Sequence, residues 1–140
     1  MIGINNLTKE KVDGNFLKRV AKVALKGENS KVADLSIALV PEKEIKKLNK
    51  KYRKENKPTD VLSFEASEFD LSLGEVVICP ERVKEDAREF GTTFKKELAL
   101  VLIHGILHLL GYDHEKGGRQ AREMEAKQKH YLSKILNSIF

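Results

Sequence analysis

The sequence predicts an α+β domain, in which a small mixed β-sheet of about four strands has helices packed on it. Two patterns lead to this prediction. Short strand patterns alternate with amphipathic helices in the first half of the chain, whereas the second half, from Glu81 onward, is helical. The chain has 140 residues, which is the size of one domain, so we expect one domain over residues 1–140.

The elements of the first half follow from local patterns, in the order of the chain. A short strand is predicted around residues 2–4, and Asp13 is placed to cap a helix whose apolar residues recur at spacings of three and four. Gly27 is placed to end that helix. Alternating apolar residues over 35–39 predict a second strand, after which Pro41 begins a second helix.

The middle of the chain predicts a pair of strands, and the remainder predicts helices. Val61–Phe64 follows a turn signal at residues 58–60, and Gly74–Cys79 is stopped by Pro80. These two strands could pair through the polar loop between them. Helices are expected over residues 81–90, from 93 to about 110, and from 118 onward. In an α+β domain they would lie on one face of the sheet.

The net charge of +5 is confined to one segment, Pro41–Pro58. That segment holds eight cations and three anions, while the other 18 cations and 18 anions of the chain cancel. A localised basic stretch indicates one surface made for a polyanion such as nucleic acid. Its cations are Lys43, Lys46, Lys47, Lys50, Lys51, Arg53, Lys54 and Lys57.

Cysteine content and hydropathy bear on the compartment. Cys79 is the single cysteine and cannot form an internal disulfide, and the first residues lack the apolar core of a signal peptide. The longest apolar run, Leu98–Leu110, contains two histidines and is shorter than the roughly 20 residues that a membrane helix needs. We therefore expect a cytoplasmic protein with no membrane role.

Three of the four histidines fall within eleven residues, at His104, His108 and His114. A helical spacing of four residues puts His104 and His108 on one face, so that two imidazoles can share one ion. Gly111 can take the left-handed conformation that ends a helix, which would let His114 reach the same ion. Three neutral imidazoles suit Zn²⁺ and leave a fourth position open, as in catalytic zinc sites. The sequence thus predicts one zinc ion per chain, on a central helix that ends at a glycine turn.

Other interpretations of the histidines are weaker. They could be surface or capping residues of an apolar helix, but here three occur together with the helical spacing and the glycine. The spacing is also that of the metzincin proteases, H-E-x-x-H-x-x-G-x-x-H, yet Gly105 stands where those enzymes have the general-base glutamate. Peptide hydrolysis by that route therefore lacks its base. His130, in the charged C-terminal helix, is expected to be solvated.

The chain resembles the YbeY endoribonuclease family in three blocks that stand in the family's order. The run HGILHLLGYDH at residues 104–114 is similar to the metal-binding motif H-G-x-L-H-L-x-G-Y-D-H. Residues 49–64 are similar to N-x-x-Y-R-x-x-x-x-P-T-D-V-L-S-F, and residues 73–78 to the strand L-G-D-I-x-I. The departures are small: Glu75 stands where the family commonly has Asp, and Cys79-Pro80 where many members have a small residue.

This resemblance implies a zinc-bound endoribonuclease directed at single-stranded RNA. The expected substrate is an rRNA precursor, cut at the 3′ end of 16S rRNA, and the expected partner is the small ribosomal subunit during late quality control. The resemblance also implies that Arg53 faces the metal across a cleft, where it would stabilise charge on a phosphate. No DNA substrate is expected. The sequence does not choose between attack by zinc-activated water and attack by the RNA 2′-hydroxyl.

Two alternatives share the predicted fold. In one, the protein is a ribosome-assembly binding factor and the metal serves structure only. In the other, the zinc serves hydrolysis of a different small or peptide substrate, and the basic segment is not used. Salt dependence separates this hydrolase from a nuclease, because each phosphate that a lysine neutralises makes binding more sensitive to salt. Asp60 and Asp113 could orient Arg53 and a histidine, respectively, or could be turn residues.

Overall fold

A computed structural model describes residues 1–113 and 117–139 of the chain. The elements are, in chain order, β1 (Ile2–Asn6), α1 (Gly14–Gly27), β2 (Leu35–Leu39), α2 (Glu42–Arg53), β3 (Val61–Glu65), β4 (Gly74–Ile78), α3 (Pro80–Phe90), α4 (Phe94–Leu109) and α5 (Gly118–Ile139). Each predicted strand and helix is present close to its expected ends. Over the two described ranges, no helix combines the length and the apolar character that crossing a membrane requires.

The predicted α+β class is confirmed, because the described strands form one mixed sheet of four in the order β1-β2-β4-β3. β1, β2 and β4 run parallel. β3 pairs antiparallel with β4, with Val61 opposite Ile78 and Glu65 opposite Gly74, so the predicted pairing of the two middle strands is correct. β3 therefore lies at one edge of the sheet.

Helices cover both faces of the sheet, so the expectation of helices on one face is wrong. In β2, Ile37 and Leu39 belong to a large core with α1, α3, α4 and α5, whereas Ala38 belongs to a smaller core with Ile45 of α2. Alternate residues of a strand point to opposite faces, so the two cores lie on opposite sides of the sheet. β2 and β4 carry apolar side chains on both faces, as buried parallel strands do.

α4 is the central helix of the larger core, and it packs directly on the sheet at Gly105. A Cβ atom at this position would lie 2.7 Å from Cγ1 of Val76 in β4, so the contact requires glycine. The Ser63 hydroxyl of β3 donates a hydrogen bond to the Gly105 carbonyl oxygen at 2.9 Å. A glutamate here, at the position of the metzincin base, would point into the sheet.

The ends of α1 and α4 have the capping residues that the sequence predicts. The Asp13 carboxylate accepts a hydrogen bond from the Phe16 amide at 3.1 Å, at the start of α1. α4 ends at Leu109, and Gly111 adopts a left-handed φ of +104°. The predicted glycine turn after the histidine helix is therefore confirmed.

Candidate active site between α2 and α4

One stripe of α4 is partly exposed, while the rest of the helix is buried. Between Glu97 and Leu109, every residue is buried except Leu100, His104 and His108, which repeat every four residues. The two imidazole rings have centroids 5.0 Å apart and are inclined at 72°. His104 and His108 thus lie together on one face of the helix. The third expected ligand, His114, lies outside the described residues.

The two histidines line a cavity of about 650 Å³ between α4, β3 and the end of α2. α2 contributes Tyr52 and Arg53 to this cavity, β3 contributes residues 61–65, and the turn after α4 contributes residues 111–113. A second cavity of about 260 Å³ is also lined by Arg53 and His104. The arginine and the two described histidines that the sequence analysis singled out therefore share one cleft.

The topology of the sheet explains how two distant segments meet in this cleft. α2 packs on one face of the sheet and α4 on the other, and β3 is the edge strand between them. The cleft that both helices line therefore crosses the edge of β3. Along this strand, Leu62 packs in the smaller core with α2. The next residue, Ser63, donates its hydrogen bond to α4. Successive residues of β3 thus hold the two walls in place.

The position of Arg53 follows from the way α2 ends. Tyr52, the preceding residue, packs its ring edge-to-face on Phe64 of β3, with the ring centroids 5.0 Å apart. The buried Asn49 donates a hydrogen bond from Nδ2 to the Lys57 carbonyl oxygen at 2.9 Å, which ties the loop after α2 back to the helix. Arg53 therefore projects from an anchored helix end.

All eight cations of the basic segment are exposed on α2 and on the loop that follows it, and we call them the basic surface. Lys57 is 4.0 Å from the Glu55 carboxylate, and Lys51 lies over the Tyr52 ring at 5.2 Å. The basic surface reaches the cleft at Arg53, which lines the cavity. A polyanion bound along α2 would therefore extend into the cleft.

Helix α5 supplies a side chain that the sequence analysis missed, Gln128. Its amide lies 2.8 Å from Nδ1 of His104, and both residues line the second cavity. In the sequence, Gln128 is a polar residue at helical spacing from the residues of α5 that are buried, which are Met124, Tyr131 and Ile135. A helical pattern does not say which element it packs against, so the contact with His104 could not be predicted.

The Glu28 carboxylate, next to the end of α1, ties together three segments around the histidine helix. It accepts hydrogen bonds from the hydroxyl groups of Tyr112, at 2.6 Å, and of Tyr131, and the Lys127 ammonium group lies 3.3 Å away. Burial alone would raise the pKa of Glu28, but these three donors outweigh it and lower the pKa. α1 ends at Gly27 as predicted, where glycine is needed because a Cβ would overlap the Tyr131 ring.

Acidic side chains lie beside the cleft. Asp60 and Glu97 line the second cavity with Arg53 and His104. Burial, the bond to Asp60 and its negative charge together raise the pKa of Asp86 in α3 to about 6. Burial, and then the charge of Asp60, also raise the pKa of Glu97. Of these two carboxyl groups, Glu97 lines the second cavity, and a raised carboxyl pKa in a cleft is typical of functional sites.

The imidazole nitrogens of His104 and His108 are of the kind that bind divalent metals such as Zn²⁺. Two imidazoles one helical turn apart are a common part of zinc sites. Over residues 1–113 and 117–139, no three His, Cys, Asp or Glu side chains are arranged to hold an ion. The predicted third ligand, His114, falls between these ranges, and its neighbour Asp113 lines the cavity.

The sequence is similar to known proteins of one family along most of its length. The family model described as Endoribonuclease YbeY matches residues 3–136. A protein named Endoribonuclease YbeY from Thermotoga maritima is 50% identical over 101 residues, which are 72% of this chain and 67% of that protein. Another protein of this name, from Aquifex aeolicus, is 39% identical over 137 residues, which are 95% of this chain and 91% of the relative.

The fold is also similar to a solved structure. The solution structure of TM1509 from Thermotoga maritima matches with a TM-score of 0.68 and 41% sequence identity, and the match covers 99% of this chain and 91% of that one. Fold and sequence similarity therefore extend over the same residues. The chain belongs to the YbeY endoribonuclease family.

Proposed function

We propose that this protein is a metal-dependent endoribonuclease that cuts single-stranded RNA in the cleft between α2 and α4. Membership of the YbeY endoribonuclease family supports RNA cleavage. The observation that carries the proposal is the cavity of about 650 Å³ that is lined by Arg53 of α2 and by His104 and His108 of α4. Such groups can stabilise the negative charge that develops on a phosphate during cleavage.

The proposed roles divide between metal binding and charge stabilisation. His104, His108 and His114 would hold one Zn²⁺ ion. When bound, the ion supplies a Lewis acid that activates the attacking oxygen and offsets negative charge. Arg53 donates hydrogen bonds to the nonbridging phosphate oxygens, for which the planar guanidinium group is well shaped. Attack by water and attack by the adjacent 2′-hydroxyl both fit these roles and leave different 3′ ends.

The basic surface supplies affinity for the strand. Its eight exposed cations neutralise phosphates of an RNA that follows α2 into the cleft. Phosphate contacts fix the orientation of a strand and carry little sequence information. We therefore propose that specificity for an rRNA precursor, at the 3′ end of 16S rRNA, comes from docking on the small ribosomal subunit in the cytoplasm.

Alanine variants on both walls test the proposal. Arg53→Ala and His108→Ala are expected to lower the cleavage rate of single-stranded rRNA fragments by about 10²-fold or more. The first variant removes charge stabilisation, and the second removes a metal ligand. Arg19→Ala on α1 and His130→Ala on α5 replace exposed residues of the same types outside the cleft and should cleave like the wild type. Mapping the 3′ ends of the products distinguishes the two routes of attack.

Metal removal separates the nuclease from the alternatives. A chelator should abolish cleavage, and added Zn²⁺ should restore it. Full cleavage by both purified alanine variants would rule out the proposed nuclease. An assembly factor with a structural metal would lose thermal stability on chelation, yet it would support rRNA maturation in cells that carry Arg53→Ala.

A further inference from the structure

We propose that Gln128 of α5 is a positioning residue of the metal site, because its amide oxygen can accept a hydrogen bond from Nδ1 of His104 and so fix the ring for binding metal through Nε2. This inference rests on the proposed function, since it requires that the histidines hold an ion. Gln128 lies in α5, outside the histidine motif, so the motif alone does not indicate this role.

The contact is short, and it comes from a well-anchored part of α5. The Gln128 amide lies 2.8 Å from Nδ1 of His104, within the normal range for a hydrogen bond. Gln128 lies on the helix face formed by Met124, Tyr131 and Ile135, which are at most 1% exposed. Because these side chains are packed in the core, the helix backbone that carries Gln128 is held in place beside the ring.

The rotation of α5 about its own axis is also fixed. Tyr131, one turn beyond Gln128, donates a hydrogen bond to Glu28, and the ammonium group of Lys127 lies 3.3 Å from the same carboxylate. α1 therefore holds α5 at the turn that carries Gln128. A side chain held in this way can set the orientation of an imidazole ring, which a side chain on an exposed loop cannot do reliably.

Protonation of the imidazole determines what Gln128 must supply. A neutral imidazole carries one proton, and the hydrogen bond at one nitrogen decides which nitrogen has it. A histidine that binds metal through Nε2 has its proton on Nδ1 and needs an acceptor there. A donor opposite Nδ1 would favour the proton on Nε2, which excludes the metal.

The amide of Gln128 can meet either requirement, because it has a donor end and an acceptor end of nearly the same shape. The atom that lies 2.8 Å from His104 Nδ1 is the amide nitrogen, Nε2 of Gln128. A half-turn of the amide brings Oε1 to this position, and metal binding through Nε2 of His104 requires that half-turn.

A neutral amide suits this place better than a carboxylate. Glutamate at position 128 would accept the same hydrogen bond and make the imidazole a stronger ligand. However, Asp60 and Glu97 already line the same cavity, together with Gln128. A further negative charge would oppose the approach of a phosphate. The glutamine orients the ring without this repulsion.

The test compares substitutions that differ in hydrogen-bonding capacity: leucine removes the amide, and glutamate keeps the shape of glutamine and offers only acceptor oxygens. Gln128→Leu is expected to weaken Zn²⁺ binding by about 10- to 100-fold, as measured by competition with a chelator of known affinity. Gln128→Glu should bind Zn²⁺ at least as tightly as the wild type. Gln120→Leu is the matched control, because it makes the same change at an exposed position of α5 and should leave Zn²⁺ affinity unaltered.

A second measurement separates positioning from a general structural role. In the Zn²⁺-loaded wild type and Gln128→Glu, NMR should show a slowly exchanging proton on Nδ1 of His104, and this signal should be lost in Gln128→Leu. Unchanged Zn²⁺ affinity in Gln128→Leu would overturn the inference and leave the proposed function standing. If the wild type binds no Zn²⁺, the metal-dependent function fails, and the inference fails with it.

Discussion

The histidine wall of the cleft is part of a buried helix, whereas the arginine wall is the end of an exposed one. α4 is enclosed by the sheet, α1, α3 and α5, and only Leu100, His104 and His108 break its burial between Glu97 and Leu109. α2 covers the smaller core, and every cation of the basic surface on it is exposed. The fixed wall suits metal ligands, which need a defined geometry, and the exposed wall suits a polyanion, which needs charge within reach.

This contrast divides the effects of substitutions between two measurable quantities. Changes in α4 and its supports should alter the free energy of unfolding and the metal affinity. Changes on the surface of α2 should alter RNA affinity and its dependence on salt, with little effect on stability. This division of roles would be contradicted by a substitution on the surface of α2 that strongly lowers the unfolding free energy, or by one in α4 that changes only RNA affinity.

The largest expected effect is at Gly105, where α4 meets the sheet. Gly105→Ala should cost about 1–3 kcal/mol of unfolding free energy through overpacking against Val76, and Gly105→Glu should prevent folding. Urea denaturation monitored by circular dichroism measures the first, and recovery of soluble protein measures the second. Gly3→Ala is the matched control, because an added Cβ at this position would contact nothing within 4 Å. A folded Gly105→Glu variant would contradict the close packing of α4.

Reversal of four charges on the basic surface tests the exposed wall, with the substitutions Lys46→Glu, Lys47→Glu, Lys50→Glu and Lys51→Glu. We expect the slope of RNA affinity against salt, on logarithmic scales, to fall by about 0.7 for each phosphate that the variant no longer neutralises. Fluorescence anisotropy over a salt series measures this slope. The unfolding free energy should change little, because the four side chains are exposed.

The matched control for this charge reversal changes the same number of exposed lysines elsewhere, in and just before α1, at Lys11, Lys18, Lys22 and Lys26. It gives the protein the same net charge and leaves α2 intact. An equal loss of RNA affinity in the two variants would show that net charge, and not the basic surface, governs binding. Small-substrate hydrolysis that is indifferent to both would favour the alternative hydrolase.

Glu28→Gln tests the support of the histidine wall. The amide keeps only one acceptor oxygen and loses the ion pair with Lys127, so we expect a loss of about 1–3 kcal/mol of unfolding free energy. Burial and then the bond to Glu28 raise the pKa of Tyr112 to about 12, and this pKa should fall in the variant. Titration followed by ultraviolet absorbance measures the ionisation of the tyrosine hydroxyl groups. Glu125→Gln, at an exposed pair with Lys129, is the control and should cost little.

The smallest expected effect is the pH dependence that Asp86 brings to the stability. Its pKa in the folded protein is about 6, above the ordinary value of 3.8, so the folded state holds a proton that the unfolded state releases between these two values. Stability should therefore fall as the pH rises from about 4 to about 6, by an amount on the order of 1 kcal/mol because the group is partly exposed. Asp86→Asn should remove this fall.

The measurement is the unfolding free energy of wild type and Asp86→Asn at pH 4 and at pH 7. The variant should gain stability relative to the wild type between the lower and the higher pH. The same difference between the two proteins at both pH values would contradict the raised pKa.

Local sequence patterns predicted the elements and the histidine pair, because both depend on residues within one helix or strand. The spacing of His104 and His108 and the turn at Gly111 are of this kind. Local patterns do not say which elements meet. The position of α2 on the opposite face and the contacts of Gln128 and Glu28 therefore became visible only in the structure. Arg53 followed from the family resemblance, since no periodicity separates it from the lysines around it.

The dependence of the histidine wall on α5 has a consequence for protein synthesis. The ribosome makes α5 after every other described element of the chain, and α5 carries the contacts to His104, through Gln128, and to Glu28, through Tyr131. A nascent chain can thus form the sheet and α4 while both contacts are still missing. In a copy that has not been finished, His104 would lack its contact with Gln128 at the time when the chain is tethered beside ribosomal RNA.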